Sequence, residues 1–254
     1  MPDIPLTPSR SVLDVDPDTI GTPARAPFVE LGLVSCFSFL RGASLPVDMV
    51  KTAYALGYDA IGIADANSMA GVVRHHTNAK KLKLTPVIGC RIETAEGLAF
   101  LAYPTDRAAY GRLCRLISAG RMKKLDGKWQ DKGACDISLG MLAEHSEGVQ
   151  LILLPPDDLD AEFTIRGDSN VIPFPGSDLE QEAVPQELVA SFPNLLGFLS
   201  SQLPTLHHLA ASRLYRGDDI ARIERLDALA KEKGLGLLAT NDVHYHVPQR
   251  RPLQ

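Results

Sequence analysis

The chain has 254 residues, 45% of them hydrophobic and 22% charged, which is enough apolar material for a core and excludes a disordered polymer. No run of about 18 apolar residues occurs, which excludes a membrane-spanning helix. The net charge of −5 and pI of about 5.8 exclude a globally basic nucleic-acid binder.

Residues 1–27 are rich in proline and threonine and poor in large apolar side chains, and read as a flexible tail without a secretory signal. At Phe28 the texture changes, and FVELGLV reads as a buried strand. CFSFLRGAS follows as a loop with Ser44 placed as a helix N-cap, and residues 45–57 carry apolar side chains at helical spacing up to Gly57. YDAIGIAD predicts a strand with Asp65 at its C-terminal end, residues 67–83 a helix, and LTPVIGCRIET and GLAFLAYP two more strands. DRAAYGRLCRLISAG predicts an amphipathic helix and VQLILLPP a strand.

Residues 155–187 lack periodicity and read as an irregular insertion. Leu188 to Phe192 reads as the end of a short helix, NLLGFLS as a strand, residues 218–234 as a strong helix, and LGLLATNDVHY as the final strand. Repeated β/α units with short links point to an α/β fold with a mainly parallel sheet, closed or nearly closed over residues 28–254. An open doubly wound sheet is the other arrangement of the same pattern. In both, functional groups gather at the C-terminal ends of the strands, where Asp65 and the Asp242–Val243–His244 group fall.

Residues two apart on a strand share a face, so Asp242 and His244 can converge on one metal or one proton. Two ligands alone do not hold a catalytic metal. His75 and His76 are adjacent, cannot chelate together from a helix, and read as a solvated face. Only one of His207 and His208 can face inward from a strand; His145 suits a helix end, and His246 lies just past the last strand. Cys36, Cys90, Cys114 and Cys135 form no CxxC pair and read as free buried thiols. No GxSxG elbow or P-loop occurs, and FLRGAS is either a plain turn or a weak phosphate cradle, with Arg41 beside it. Two basic stretches, Arg74–Lys83 and the series from Arg112 and Arg115 to Arg121, Lys123, Lys124 and Lys128, are either solvated faces or salt-sensitive phosphate contacts.

The tracts SFLRGAS, NSMAGVVR, ASRLYRGDD and LLATNDVHYHVPQRRPLQ, spaced from about Phe28 to the last residue, resemble the polymerase-and-histidinol-phosphatase (PHP) domain family, in particular the N-terminal domain of bacterial C-family error-prone DNA polymerases. The resemblance implies a distorted (β/α)7 barrel. It also implies that the family's metal-ligand positions fall here at Gly32, Val34, Arg41, Asp65–Ala66, Arg91, Asp242 and His244. Only the Asp-x-His near the end is kept, as Asp242 and His244; at Asp65–Ala66 the histidine is gone, and Gly32, Val34, Arg41, Ala66 and Arg91 make the site degenerate. At about 4 Å and an effective dielectric of 20, each arginine would repel a like charge by roughly 4 kcal/mol. The arginines are expected to pair with Asp65 or Asp242 instead.

Three readings follow. The first is a metal-free scaffold domain of a polymerase acting in damage-tolerant DNA synthesis, with no cofactor of its own. Its partners would be the remaining polymerase domains, DNA held by the full polymerase, and replication or repair accessory subunits, in the bacterial cytoplasm. The chain would stop short of the polymerase core, and an exposed apolar patch near Tyr245, Val247, Pro248 and Leu253 would mark the docking face. The second is an active phosphoesterase of the PHP type, for which a divalent metal is required. The third is an unrelated barrel that binds a small ligand at its strand ends.

Overall fold

The computed structural model describes residues 28–166, 187–213 and 215–253. The tail expected at 1–27 and most of the insertion expected at 155–187 lie outside these residues. The elements are α1 (Pro46–Ala55), β1 (Ala60–Ala66), α2 (Val72–Lys81), β2 (Thr85–Glu93), β3 (Ala99–Pro104), α3 (Arg107–Met122), α4 (Leu139–His145), β4 (Val149–Leu154), β5 (Glu162–Arg166), β6 (Glu187–Ser191), α5 (Phe192–Gln202), β7 (Leu206–Ala211), α6 (Asp219–Glu232) and β8 (Gly236–Ala239), with a 3-10 turn at Pro248–Leu253. Among the described residues no helix is long and apolar enough to cross a membrane.

Six strands form one sheet in the order β1-β2-β3-β4-β7-β8. The pairs β1·β2, β4·β7 and β7·β8 are parallel, as βαβ connections require. β3 runs antiparallel to both neighbours: a short turn with no crossover helix reverses it after β2, and β4, reached through α3 and α4, runs parallel to β2 again. The α/β expectation is therefore met by a curled mixed sheet. Its largest core cluster includes Phe100, Leu113, Leu116, Leu151 and Leu199 between sheet and helices, and a second cluster holds Leu33, Val50 and Ile63 under α1 and α2.

FVELGLV forms extended backbone beside β1 rather than a regular strand, with a single parallel bridge from Glu30 to Ile61. The Gly62 and Ala64 amides donate to the carbonyls of Glu30 and Leu33, while the Val34 amide donates to Val243 beyond β8. This segment is thus bonded on both sides. The Glu30 carboxylate, only 1% exposed, accepts from the Gly32 amide at 2.7 Å, the Thr240 hydroxyl and the Asn241 amide at 2.8 Å.

Four local expectations are corrected. Leu45 occupies the N-cap position of α1 without a side-chain cap, with Pro46 in the first turn, and the Ser44 hydroxyl bonds His246 Nδ1 at 2.7 Å instead. NLLGFLS lies inside α5, where Phe192, Leu195, Leu196 and Leu199 bury one helical face. Leu188–Ser191, read as helix, belongs to β6, which pairs antiparallel with β5 inside the expected irregular region. The final strand stops at Ala239, five residues before His244.

His75 corrects another reading. It is fully buried, and its Nε2 bonds the Ile61 carbonyl at 3.1 Å, whereas His76 is exposed. Burial lowers the His75 pKa to about 4, against the opposing pull of that hydrogen bond. An unfolded histidine takes its proton near pH 6.5, but the folded one resists until about pH 4. Stability is therefore expected to be complete above pH 6.5 and to fall by roughly 3 kcal/mol as pH drops towards 4. Urea melts of His75→Gln should lose this part of the acid sensitivity; an unchanged pH profile would overturn the assignment. His207 is exposed and His208 half-buried, in line with one inward-facing member, and His145 ends α4 with Nδ1 at 2.9 Å from the Met141 carbonyl.

Candidate functional site

The parallel strands deliver their C-terminal ends to one face, and the segments after β1, β2 and β8 meet there with the loop 35–44. Asp65, next to last in β1, is 1% exposed. It accepts from the Ser35 amide at 2.7 Å, from the Ser35 hydroxyl at 2.8 and 3.0 Å, and from the Ser38 hydroxyl at 2.8 Å. Burial raises its pKa, and these hydrogen bonds oppose the shift. The carboxylate thereby anchors the loop. The loop then turns tightly at Gly42, where a Cβ would lie 2.0 Å from the Ser35 carbonyl oxygen, so only glycine fits SFLRGAS at that point.

Asp242 and His244 do meet, at 3.4 Å between Oδ2 and Nε2. They do so from an irregular segment rather than from a strand: Asp242 adopts a left-handed φ of 47°, and the Ala43 amide holds the His244 carbonyl at 2.8 Å. The other Asp242 oxygen accepts from Arg91 Nη2 at 2.5 Å, with the two side chains 31% and 7% exposed. Burial alone would raise the Asp242 pKa, but the His244 hydrogen bond and the Arg91 charge outweigh it and hold the carboxyl below its usual range.

Arg91 therefore pairs with Asp242, one of its two expected partners. Arg41 pairs with Glu93, not with Asp65 or Asp242. Glu93 and Glu30 escaped sequence reasoning. Each is a lone acid in an apolar run, and a buried acid needs partners, so both carried a legible signal. Glu93 also follows Arg91 by two residues in β2, which places both on one face.

The remaining expected positions contribute no donor. Gly32 lies against the β8 side, where a Cβ would sit 2.4 Å from Thr240 Oγ1 and 3.3 Å from the Asp242 Cα. Val34 is fully buried, and Ala66 offers only its amide, which donates to Ser38 Oγ at 2.9 Å. Among the described residues no group of three or more His, Cys, Asp or Glu side chains is arranged to hold a metal ion. Asp65 and Asp242 share no bonding partner.

The apolar patch expected at the C-terminus is not the exposed one. Tyr245 and Val247 are half-buried and Pro248 is exposed, while the burial of Leu253 lies outside the described side chains. Large exposed apolar side chains occur elsewhere, among them Phe39, Leu40, Val73, Trp129, Tyr215 and Ile220. All four cysteines are free, but only Cys90 is buried; the other three are half-buried.

Residues 30–194 match the sequence profile of the PHP domain. The chain belongs to the PHP family. It is 39% identical over 228 residues to an error-prone DNA polymerase of Caulobacter vibrioides, a match covering 89% of this chain and 18% of that relative. A second error-prone DNA polymerase, from Bradyrhizobium diazoefficiens, is 40% identical over 240 residues, covering 92% of this chain and 18% of the relative. The chain thus spans about a fifth of the length of these curated relatives. Among solved structures it is similar to an amidohydrolase from Chromobacterium violaceum with bound sulfate and no metal (TM-score 0.55, 12% identity, 85% of this chain and 87% of that one). A proposed metal-dependent phosphoesterase from Bifidobacterium adolescentis is equally similar (TM-score 0.55, 14% identity, 89% and 90% coverage). At such identities these likenesses show the PHP fold alone.

Proposed function

We propose that this PHP domain is the N-terminal part of an error-prone DNA polymerase used in damage-tolerant synthesis in the bacterial cytoplasm, and that it serves there as a metal-free scaffold. In this reading the fold is a distorted (β/α)7 barrel, with residues 30–34 standing as its first stave.

The observation that carries the reading is the Arg91–Asp242 ion pair. The guanidinium occupies the Asp242 oxygen that a divalent ion would need, and its fixed positive charge repels a cation. Asp65 is committed to the loop, and a Cβ at position 32 would collide with Thr240. The residues present therefore do not fit the metal that PHP enzymes use. What the side chains do is mechanical. Asp65 holds loop 35–44, Glu30 holds the end of β8, and Arg91 holds the Asp242 turn, so the face that meets the rest of the polymerase keeps one shape.

After incubation of the purified chain with manganese or zinc and gel filtration, the reading expects no stoichiometric metal and no phosphodiester hydrolysis above a metal-only control. Bound metal or hydrolysis, in either case lost in Asp242→Ala, would replace the scaffold with the phosphoesterase reading.

A further inference from the structure

Helix α3 ends at Met122, and the chain then forms a small hairpin. Lys123 pairs antiparallel with Trp129, the Lys124 amide donates to Lys128 at 2.8 Å, and the Gly127 amide closes the turn onto Lys124 at 2.9 Å. Trp129, the sole tryptophan of the chain, is 74% exposed. An indole left in water forgoes the burial that a tryptophan usually supplies and is free to stack on a group outside the domain.

The charge around it is segregated from the rest of the molecule. Between residues 121 and 132 lie five cations, Arg121, Lys123, Lys124, Lys128 and Lys132, and two acids, a net of +3 in a chain whose total is −5. Lys124 and Lys128 are paired with Asp131 and Asp126, whereas Lys123 and Lys132 make no ion pair among the described residues. Directly opposed residues in an antiparallel pair project from the same face, so the Lys123 side chain stands beside the indole. Arg121 anchors the hairpin by donating to the Asn67 carbonyl, at 2.7 Å from Nη2 and 3.1 Å from Nε. Asn67 directly follows β1, so the hairpin sits on the same face as the site.

We propose that this hairpin binds single-stranded DNA, with the Trp129 indole stacking on a base while Lys123 and Lys132 contact the flanking phosphates. A planar aromatic group beside cations fits a polymer of planar bases and phosphates. A protein partner fits less well, because the indole's own chain neighbours Lys128 and Gln130 and the facing Lys123 are polar, and the exposed apolar side chains on the other arm, Met122 and Leu125, are separated by two lysines. The proposal deepens the polymerase reading by naming a DNA contact within this domain. It does not depend on the mouth being metal-free.

The lone tryptophan supplies its own probe. Titrating the 254-residue chain with a thymidine homopolymer of about 16 nucleotides at low salt should quench the indole emission. Anisotropy of the end-labelled oligonucleotide should show binding weakened about tenfold in Trp129→Ala and largely kept in Trp129→Phe. Lys123→Ala and Lys132→Ala should each reduce the salt dependence of binding by about 0.7 of log–log slope, the value for one phosphate contact on a single strand. Because these side chains are exposed, all four variants should melt with the parent. No quenching at low salt, or equal affinity in Trp129→Ala, would overturn the proposal. Displacement by polyglutamate as effective as displacement by DNA would also overturn it and assign the surface to an acidic protein. None of these outcomes bears on metal binding or hydrolysis, so this proposal and the scaffold reading fail separately.

Discussion

Replacing Arg91 by glutamate is expected to destabilise the domain by about 3–5 kcal/mol, the usual penalty for stranding one partner of a buried ion pair. For a chain of this size that lowers the melting temperature by roughly 10 °C. The guanidinium is 7% exposed and lies 2.5 Å from Asp242, so the substitution removes a cation that water cannot replace and sets a second carboxylate against the first. Asp242 is held below its usual pKa in the fold, so its contribution is present above an unfolded pKa near 3.9 and fades as pH falls through the depressed folded value. The loss in Arg91→Glu should therefore be largest at neutral pH and shrink below pH 4. Arg41→Asp supplies the contrast. The Arg41–Glu93 pair is about one-third exposed on each side, and surface pairs of that kind contribute about 1 kcal/mol at most. Thermal melts of both variants check the claim, and parent-like melting of Arg91→Glu would remove the ion pair from any account of the mouth.

Restoring a ligating side chain at Gly32 should unfold the site rather than revive it. A Cβ there would stand 2.4 Å from the hydroxyl of Thr240, which is 3% exposed and bonded to Glu30. The hydroxyl cannot swing away without leaving the buried Glu30 carboxylate short of a donor. Overpacking and the lost hydrogen bond together cost about 3–5 kcal/mol for Gly32→His, with Gly32→Ala at the lower end. Chemical denaturation measures both. A Gly32→His protein as stable as the parent, or one that gains stoichiometric metal, would show that the segment can yield.

Much of the architecture was legible because period and punctuation agree. Alternating strand and helix signals located β1, α2, β2 and α3, and Asp106 caps α3 by accepting from the Ala109 amide at 2.7 Å, as a helix start requires. The exchange of helix and strand around residue 192 came from weighing apolar content over spacing. PNLLGFLS is apolar enough for a strand, but Pro193 suits a helix start and the 192-195-196-199 spacing is helical. At the site, strand-end position and two-residue spacing pointed to Asp242 and His244, and the family resemblance supplied Arg91, whereas the partner of Arg41 was missed. Sequence spacing cannot show that β2 turns Glu93 towards a loop over fifty residues away. His75 was misjudged because a basic neighbourhood suggested water, although one residue per turn of α2 must still face the sheet.

The double anchorage of residues 30–34 also sets an order of events at the ribosome. Glu30 finds its Thr240 donor 210 positions downstream, and Ala43 finds the His244 carbonyl across a similar span. At elongation speeds of about 5–20 residues per second this early segment waits roughly 10–40 s for the residues that secure it. During that interval its carboxylate is hydrated and its apolar face is open to chaperones or to a neighbouring nascent chain, so a pause in translation before residue 240 would be felt at the opposite end of the polypeptide.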